Sequence, residues 1–87
     1  MITVKRFTAP WCGPCRTLAP VMNSLQNEMP NVGFETIDVE DYPESAKEFN
    51  IRTIPAVVII KDGVRKEIIT GANPKQRYVD AINHYGD

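Results

Sequence analysis

Apolar positions change period several times along this chain, and each change marks an element. Ile2, Val4 and Phe7 lie in an extended run that the Ala9-Pro10 step closes, which predicts a strand over residues 1–7. From Gly13 the period becomes helical. Leu18, Val21, Met22, Leu25 and Met29 share one face, and Met29-Pro30-Asn31 ends the helix. Pro20 lies inside it, where the missing N–H leaves the Arg16 carbonyl unpaired and predicts a kink. Residues 32–39 are extended again, and a helix between two such strands predicts a right-handed crossover with the strands parallel.

In the second half, Asp41, Pro43 and Glu44 signal a helix of about two turns by their capping pattern; Ala46 and Phe49 supply its buried face and Asn50 its end. Ile54-Pro55 then opens the nearly unbroken apolar run Ala56 to Ile60, the signature of a central strand. Lys61-Asp62-Gly63-Val64 is a tight hairpin signal, because Asp-Gly accepts the positive φ angles of a type I′ turn; residues 64–70 should return antiparallel and stop at Gly71. Asn73-Pro74-Lys75-Gln76 carries a cap residue, a first-turn proline and a glutamine three places after the cap. Tyr78, Ala81, Ile82 and Tyr85 give the last helix one apolar face, expected to cover the side of the sheet opposite the first helix. The order is βαβαββα: an α/β fold with a four-stranded mixed sheet and helices on both faces.

Lys5 and Arg6 interrupt this picture. A strand buried on both faces is more uniformly apolar, so either one face is thinly covered or Arg6 has a specific partner. The plainest reading is a cation snorkelling at the sheet's end.

Composition narrows the function. Eighty-seven residues, 43% hydrophobic and 24% charged, are read as a single domain over residues 1–87 with a modest core. Ten basic and eleven acidic residues give a formal charge of −1 with no basic block, which argues against nucleic acid or an anionic membrane and for protein partners. The longest apolar run, residues 54–60, is too short to span a bilayer, and no signal peptide is evident, so a cytoplasmic location is expected.

Both cysteines lie in Trp11-Cys12-Gly13-Pro14-Cys15, between the first strand and the first helix. A thiol there meets the unpaired N–H groups and positive dipole end of the helix, which favour a thiolate. Cys12 is the expected nucleophile. Cys15, about one turn inside the helix, should be more shielded and can resolve a mixed disulfide formed at Cys12. Gly13 lets the turn close, and Pro14 suits the first helical position. A structural staple is the poorer explanation, because so short a loop constrains the unfolded chain little. Zinc needs two further ligands, yet the only histidine is His84. No metal is expected.

With this motif after the first strand, Ile54-Pro55 before the third, the Lys-Asp-Gly hairpin and Gly71 after the fourth, the sequence resembles thioredoxin over nearly its whole length. It resembles a compact form of that fold, without the strand and helix that usually precede the first strand, as in short phage and prokaryotic thioredoxins and glutaredoxin-like proteins. The resemblance implies a protein-disulfide reductase in which Cys12 attacks and Cys15 resolves. It implies a cis peptide before Pro55, facing the dithiol, and a surface of Trp11, Ile54, Pro55 and Gly71 for an extended client segment. No cofactor is implied beyond the Cys12–Cys15 disulfide. The implied partners are disulfide-containing client proteins and an NADPH-dependent thioredoxin reductase, with the chain itself a monomer.

One position departs from the family. Thioredoxins usually carry a buried aspartate five residues before the motif's tryptophan, and here that place holds Arg6. A guanidinium is permanently protonated and cannot take the Cys15 proton; Arg6 could instead tune a thiol pKa. The lysine often found near that aspartate is replaced by Phe34. Two alternatives are a glutaredoxin-like protein reduced by glutathione, which Thr53-Ile54-Pro55 would also fit, and a binding module in which the motif is incidental.

Overall fold

The computed structural model describes residues 1–86, with its elements in the expected order: β1 (Ile2–Thr8), α1 (Gly13–Glu28), β2 (Gly33–Asp38), α2 (Pro43–Glu48), β3 (Ala56–Lys61), β4 (Val64–Thr70) and α3 (Lys75–Gly86). The sheet runs β2-β1-β3-β4. β1 pairs parallel with β2 and antiparallel with β3, and β3 pairs antiparallel with β4. α1 runs through the exposed Pro20 as one helix. Asp62 and Gly63, with φ of 50° and 83°, make the hairpin turn that their residue types require.

Alternation along β1 sends Ile2, Val4 and Arg6 to one face and Lys5 and Phe7 to the other. On the first face Ile2, Val4, Val57, Ile59 and Ile69 form one core with Leu18, Met22 and Leu25 of α1 and with Tyr78, Ala81 and Ile82 of α3. The last helix therefore lies beside α1, and the expectation that it covers the opposite side is corrected. A helix is about 10 Å wide and four strands span more than that, so one face needs two helices. The strong apolar stripe of α3 competes for that place, whereas no residue of α2 is fully buried.

The other face holds Phe7, Ala56 and Val58 under Ala46 of α2 and the Phe49 and Ile51 that follow it. Phe49 stacks at 5.8 Å, centroid to centroid, on Phe7. This cover is thin toward β2. Lys5 rests its ammonium 4.8 Å from the Phe49 ring centre and 3.7 Å from the Glu35 carboxylate. Arg6, on the other face, has a specific partner rather than a place at the sheet's end: its Nη2 donates to Thr36 Oγ1 at 3.2 Å, across the parallel pair.

Two capping expectations fail. Tyr42 precedes α2 without a side-chain cap; Asp38 instead orders the approach, its Oδ1 accepting from the Glu40 N–H at 2.8 Å and its carbonyl from the N–H groups of Asp41 and Tyr42. Asn73 does not cap α3. Its amide turns back to donate to the carbonyls of Thr70 and Gly71.

Polar clasps close the α1–α3 layer. Lys75 bonds the Glu28 carboxylate, and it also reaches Ser24 Oγ at 3.0 Å. On β4, Glu67 accepts from Arg77 Nη2 at 2.5 Å and from the Tyr85 hydroxyl at 3.2 Å. The Arg77 hydrogen bond holds the Glu67 carboxyl below its ordinary value of 4.5. A carboxyl depressed in the folded state adds stability above its unfolded pKa and loses it as pH falls through the folded value. Glu67→Gln is thus expected to lower the unfolding temperature at pH 7 by about 1–4 °C. Thermal scans from pH 7 downward should find that difference closing once wild-type Glu67 is protonated.

Candidate functional site

β1 is an inner strand of the sheet that ends at Thr8, and the chain turns into α1 at Gly13. The Cys12 N–H donates to the Ala9 carbonyl at 3.2 Å, closing that turn. Cys12 is extended, with φ −91° and ψ 107°, and serves as the helix cap: its Sγ accepts from the Cys15 N–H at 3.2 Å. Pro14 occupies the first turn, where no hydrogen bond is lost. The two sulfurs are joined in a disulfide across a Cα–Cα distance of 5.2 Å. Cys12 is 5% exposed and Cys15 2%, so the expected difference in shielding is slight in this oxidised state. Both pack with Ala9 against Val39 and Ile54.

Ile54 brings the second wall to the sulfurs. The Ile54–Pro55 peptide is cis, and Pro55 is buried at the head of β3. The Pro55 carbonyl accepts from the Gly71 N–H at 2.8 Å, which joins the start of β3 to the loop after β4. Gly71 has φ +82°, and a Cβ built on it would meet nothing within 4 Å. The glycine is required by the backbone, not by lack of room.

Trp11 forms the third side and is 64% exposed, a large apolar surface beside a covered disulfide. Its Nε1 donates to Glu40 Oε2 at 2.7 Å. The sequence reading missed Glu40. A signal existed in the parallel register: Thr8 lies beside Asp38 and the Val39 N–H donates to the Thr8 carbonyl, which carries the loop after β2 alongside residues 9–11. Arg16, one place after Cys15, braces the same turn through Nη1 to the Pro10 carbonyl at 2.7 Å.

Of the residues named from the sequence, Trp11, Gly13 and Pro14 adjoin the Cys12–Cys15 disulfide in the chain, Ile54 packs against it, Pro55 follows Ile54 through the cis peptide, and Gly71 is joined to Pro55. Arg6 stands apart from them in its recorded bonding, which leads to Thr36, and partial burial draws its guanidinium pKa below the usual value. Among the described residues no cluster of His, Cys, Asp or Glu is suited to a metal ion, and no helix is long and apolar enough to cross a membrane. Once reduced to the dithiol, such a pair beneath an exposed indole has the chemistry to exchange with a disulfide laid across it.

Comparison with known proteins agrees with this geometry. The family model described as Thioredoxin matches residues 1–84. A thioredoxin of Chlamydia caviae is 33% identical over 91% of this chain and 78% of its own length. Thioredoxin-2 of Pyricularia oryzae is 38% identical over 90% of this chain but only 46% of its own length. The chain spans about half the length of the first curated relatives it matches. Among solved structures, Fasciola hepatica thioredoxin superposes with a TM-score of 0.91 at 36% identity, covering 97% of this chain and 80% of that one. The fold is thioredoxin-like.

Two substitutions check the loop geometry. Gly71→Ala is expected to lower stability by about 1–2 kcal/mol in a denaturant titration, the cost of a side chain at positive φ with no clash added. Glu40→Ala, which frees the only indole of the chain, is expected to lower the steady-state anisotropy of Trp11 fluorescence, whereas Glu40→Gln should retain most of it.

Proposed function

Because the chain belongs to the thioredoxin family, we propose that it is a protein-disulfide reductase working through Cys12 and Cys15. The observation that carries the proposal is the disulfide at the first turn of α1, with the Cys15 N–H directed at Cys12 Sγ. In the reduced protein that N–H and its neighbours favour a thiolate at Cys12. Cys12 attacks one sulfur of a client disulfide, forming a mixed disulfide and releasing the client's other sulfur as a thiolate. Cys15 then attacks Cys12 Sγ, restores the internal disulfide and releases the second client sulfur. Two electrons and two protons pass to the client. Trp11, Ile54, Pro55 and Gly71 supply the surface on which the client lies, with Gly13 and Pro14 fixing the geometry of the dithiol.

The cycle needs no bound cofactor, but it needs an external source of two electrons, which we assign to an NADPH-dependent thioredoxin reductase. A reducing compartment such as the cytoplasm suits a disulfide that must be opened at every turnover. Arg6 gives this chain a different proton balance from a carboxylate at that place. It cannot receive the Cys15 proton, so the proton leaves to water, to the departing client thiolate or to Cys12, and a guanidinium near either thiol would depress its pKa.

The test is reduction of insulin disulfides, driven first by dithiothreitol, then by NADPH with thioredoxin reductase, then by glutathione. Activity with the first two and little with the third is expected; activity with glutathione alone would assign the chain to the glutaredoxin-like reading. Cys12→Ser should abolish reduction, and Cys15→Ser should accumulate the mixed disulfide. A biological effect that survives Cys12→Ser in full would make the chain a binding module. Arg6→Ala should raise a cysteine pKa, and two unchanged thiol titrations would remove Arg6 from the mechanism.

A further inference from the structure

We propose that Tyr78 and Asn73 are positioning residues that clamp the Gly71 loop for recognition of protein disulfides. The inference rests on the disulfide-exchange reading above and adds specificity to it. Tyr78 is wholly buried, its ring part of the core that α1 and α3 share on the sheet. Its hydroxyl leaves that core. It donates to the Gly71 carbonyl at 3.2 Å and accepts from the Asn73 N–H at 3.2 Å. The Asn73 side-chain amide closes the same turn, donating to the Thr70 carbonyl at 3.0 Å and to the Gly71 carbonyl at 3.1 Å.

Gly71 is therefore held on both sides. Its N–H is tied to Pro55 at 2.8 Å, and its carbonyl takes two donors, one rooted in the core. A phenylalanine would fill the ring's volume equally well, so packing alone does not call for a hydroxyl. Any partner in the core's edge could satisfy a buried hydroxyl; here its donor and its acceptor roles both go to the one loop that flanks the cis proline. A rim fixed in advance loses less freedom when a client settles on it, which lowers the half-saturating client concentration. The sulfurs stand on the other wall, so the exchange step itself is untouched.

Steady-state reduction of each client, with the client concentration varied and dithiothreitol as the electron source, reads the difference. With insulin as client, Tyr78→Phe and Asn73→Ala are each expected to raise KM roughly 3- to 10-fold, the equivalent of one neutral hydrogen bond, with kcat little changed. Cystamine, a disulfide too small to lie along the loop, should oxidise both variants within two-fold of the wild-type rate. Hydrogen exchange at the Gly71 and Asn73 amides should quicken in Tyr78→Phe while that of α1 stays as it was. Asn73→Ala removes no buried group, so it guards against a variant that merely unfolds. An active wild type whose two variants keep its insulin KM overturns the inference alone, as does an equal slowing with insulin and cystamine. A wild type inert toward insulin overturns the disulfide-exchange reading and this inference with it.

Discussion

The structure depends on one packing constraint: α1 and α3 share a single face of a sheet whose inner strands are β1 and β3. Val4, Val57 and Ile59 lie wholly buried beneath Leu18, Leu25 and Tyr78. Close packing of that kind permits little sliding of a helix over a sheet. It fixes where α1 begins, directly after the turn that leaves β1, and so fixes Cys12 at the helix cap and Cys15 in its first turn. The chemistry follows from that placement. Backbone N–H groups that a helix cannot pair within itself are turned toward sulfur.

The same layer reaches the far wall of the site. Tyr78 belongs to the core at its ring and to the Gly71 loop at its hydroxyl, and Gly71 in turn bonds Pro55. The dithiol wall and the loop wall are thus fixed by one hydrophobic core, although they come from residues more than forty positions apart. Trp11 is tied on a third side through Glu40, which the parallel pairing of β1 and β2 delivers. Secondary structure carries the reactive pair, and loops anchored to it carry the surface that meets a partner.

The opposite face is organised differently. It has only the short α2 and the segment after it for cover, with Phe49 on Phe7 as its main contact. Charged residues are tolerated there because the cover is incomplete: Lys5 sets its ammonium over the Phe49 ring and near the Glu35 carboxylate. Arg6, one residue later, points to the crowded face and is bonded to Thr36. That alternation along β1 separates a cation held between an aromatic ring and a carboxylate from one paired with a hydroxyl on the neighbouring strand.

The elements and their order were written in the period of the apolar positions, because that period is a local property of the chain. The Cys-Gly-Pro-Cys turn, the Asp-Gly hairpin and the glycine at Gly71 were equally plain, since each answers to a dihedral or a spacing confined to a few residues. The sequence could not decide which face α3 would take, because its apolar stripe fits either side and only the width left beside α1 selects one. It could not show that Asn73 would turn back to Thr70 and Gly71 instead of capping α3, or that Glu40 would hold Trp11. Those choices are made among groups distant in the chain or by competing acceptors, and only the packed tertiary structure brings the competitors within reach of one another.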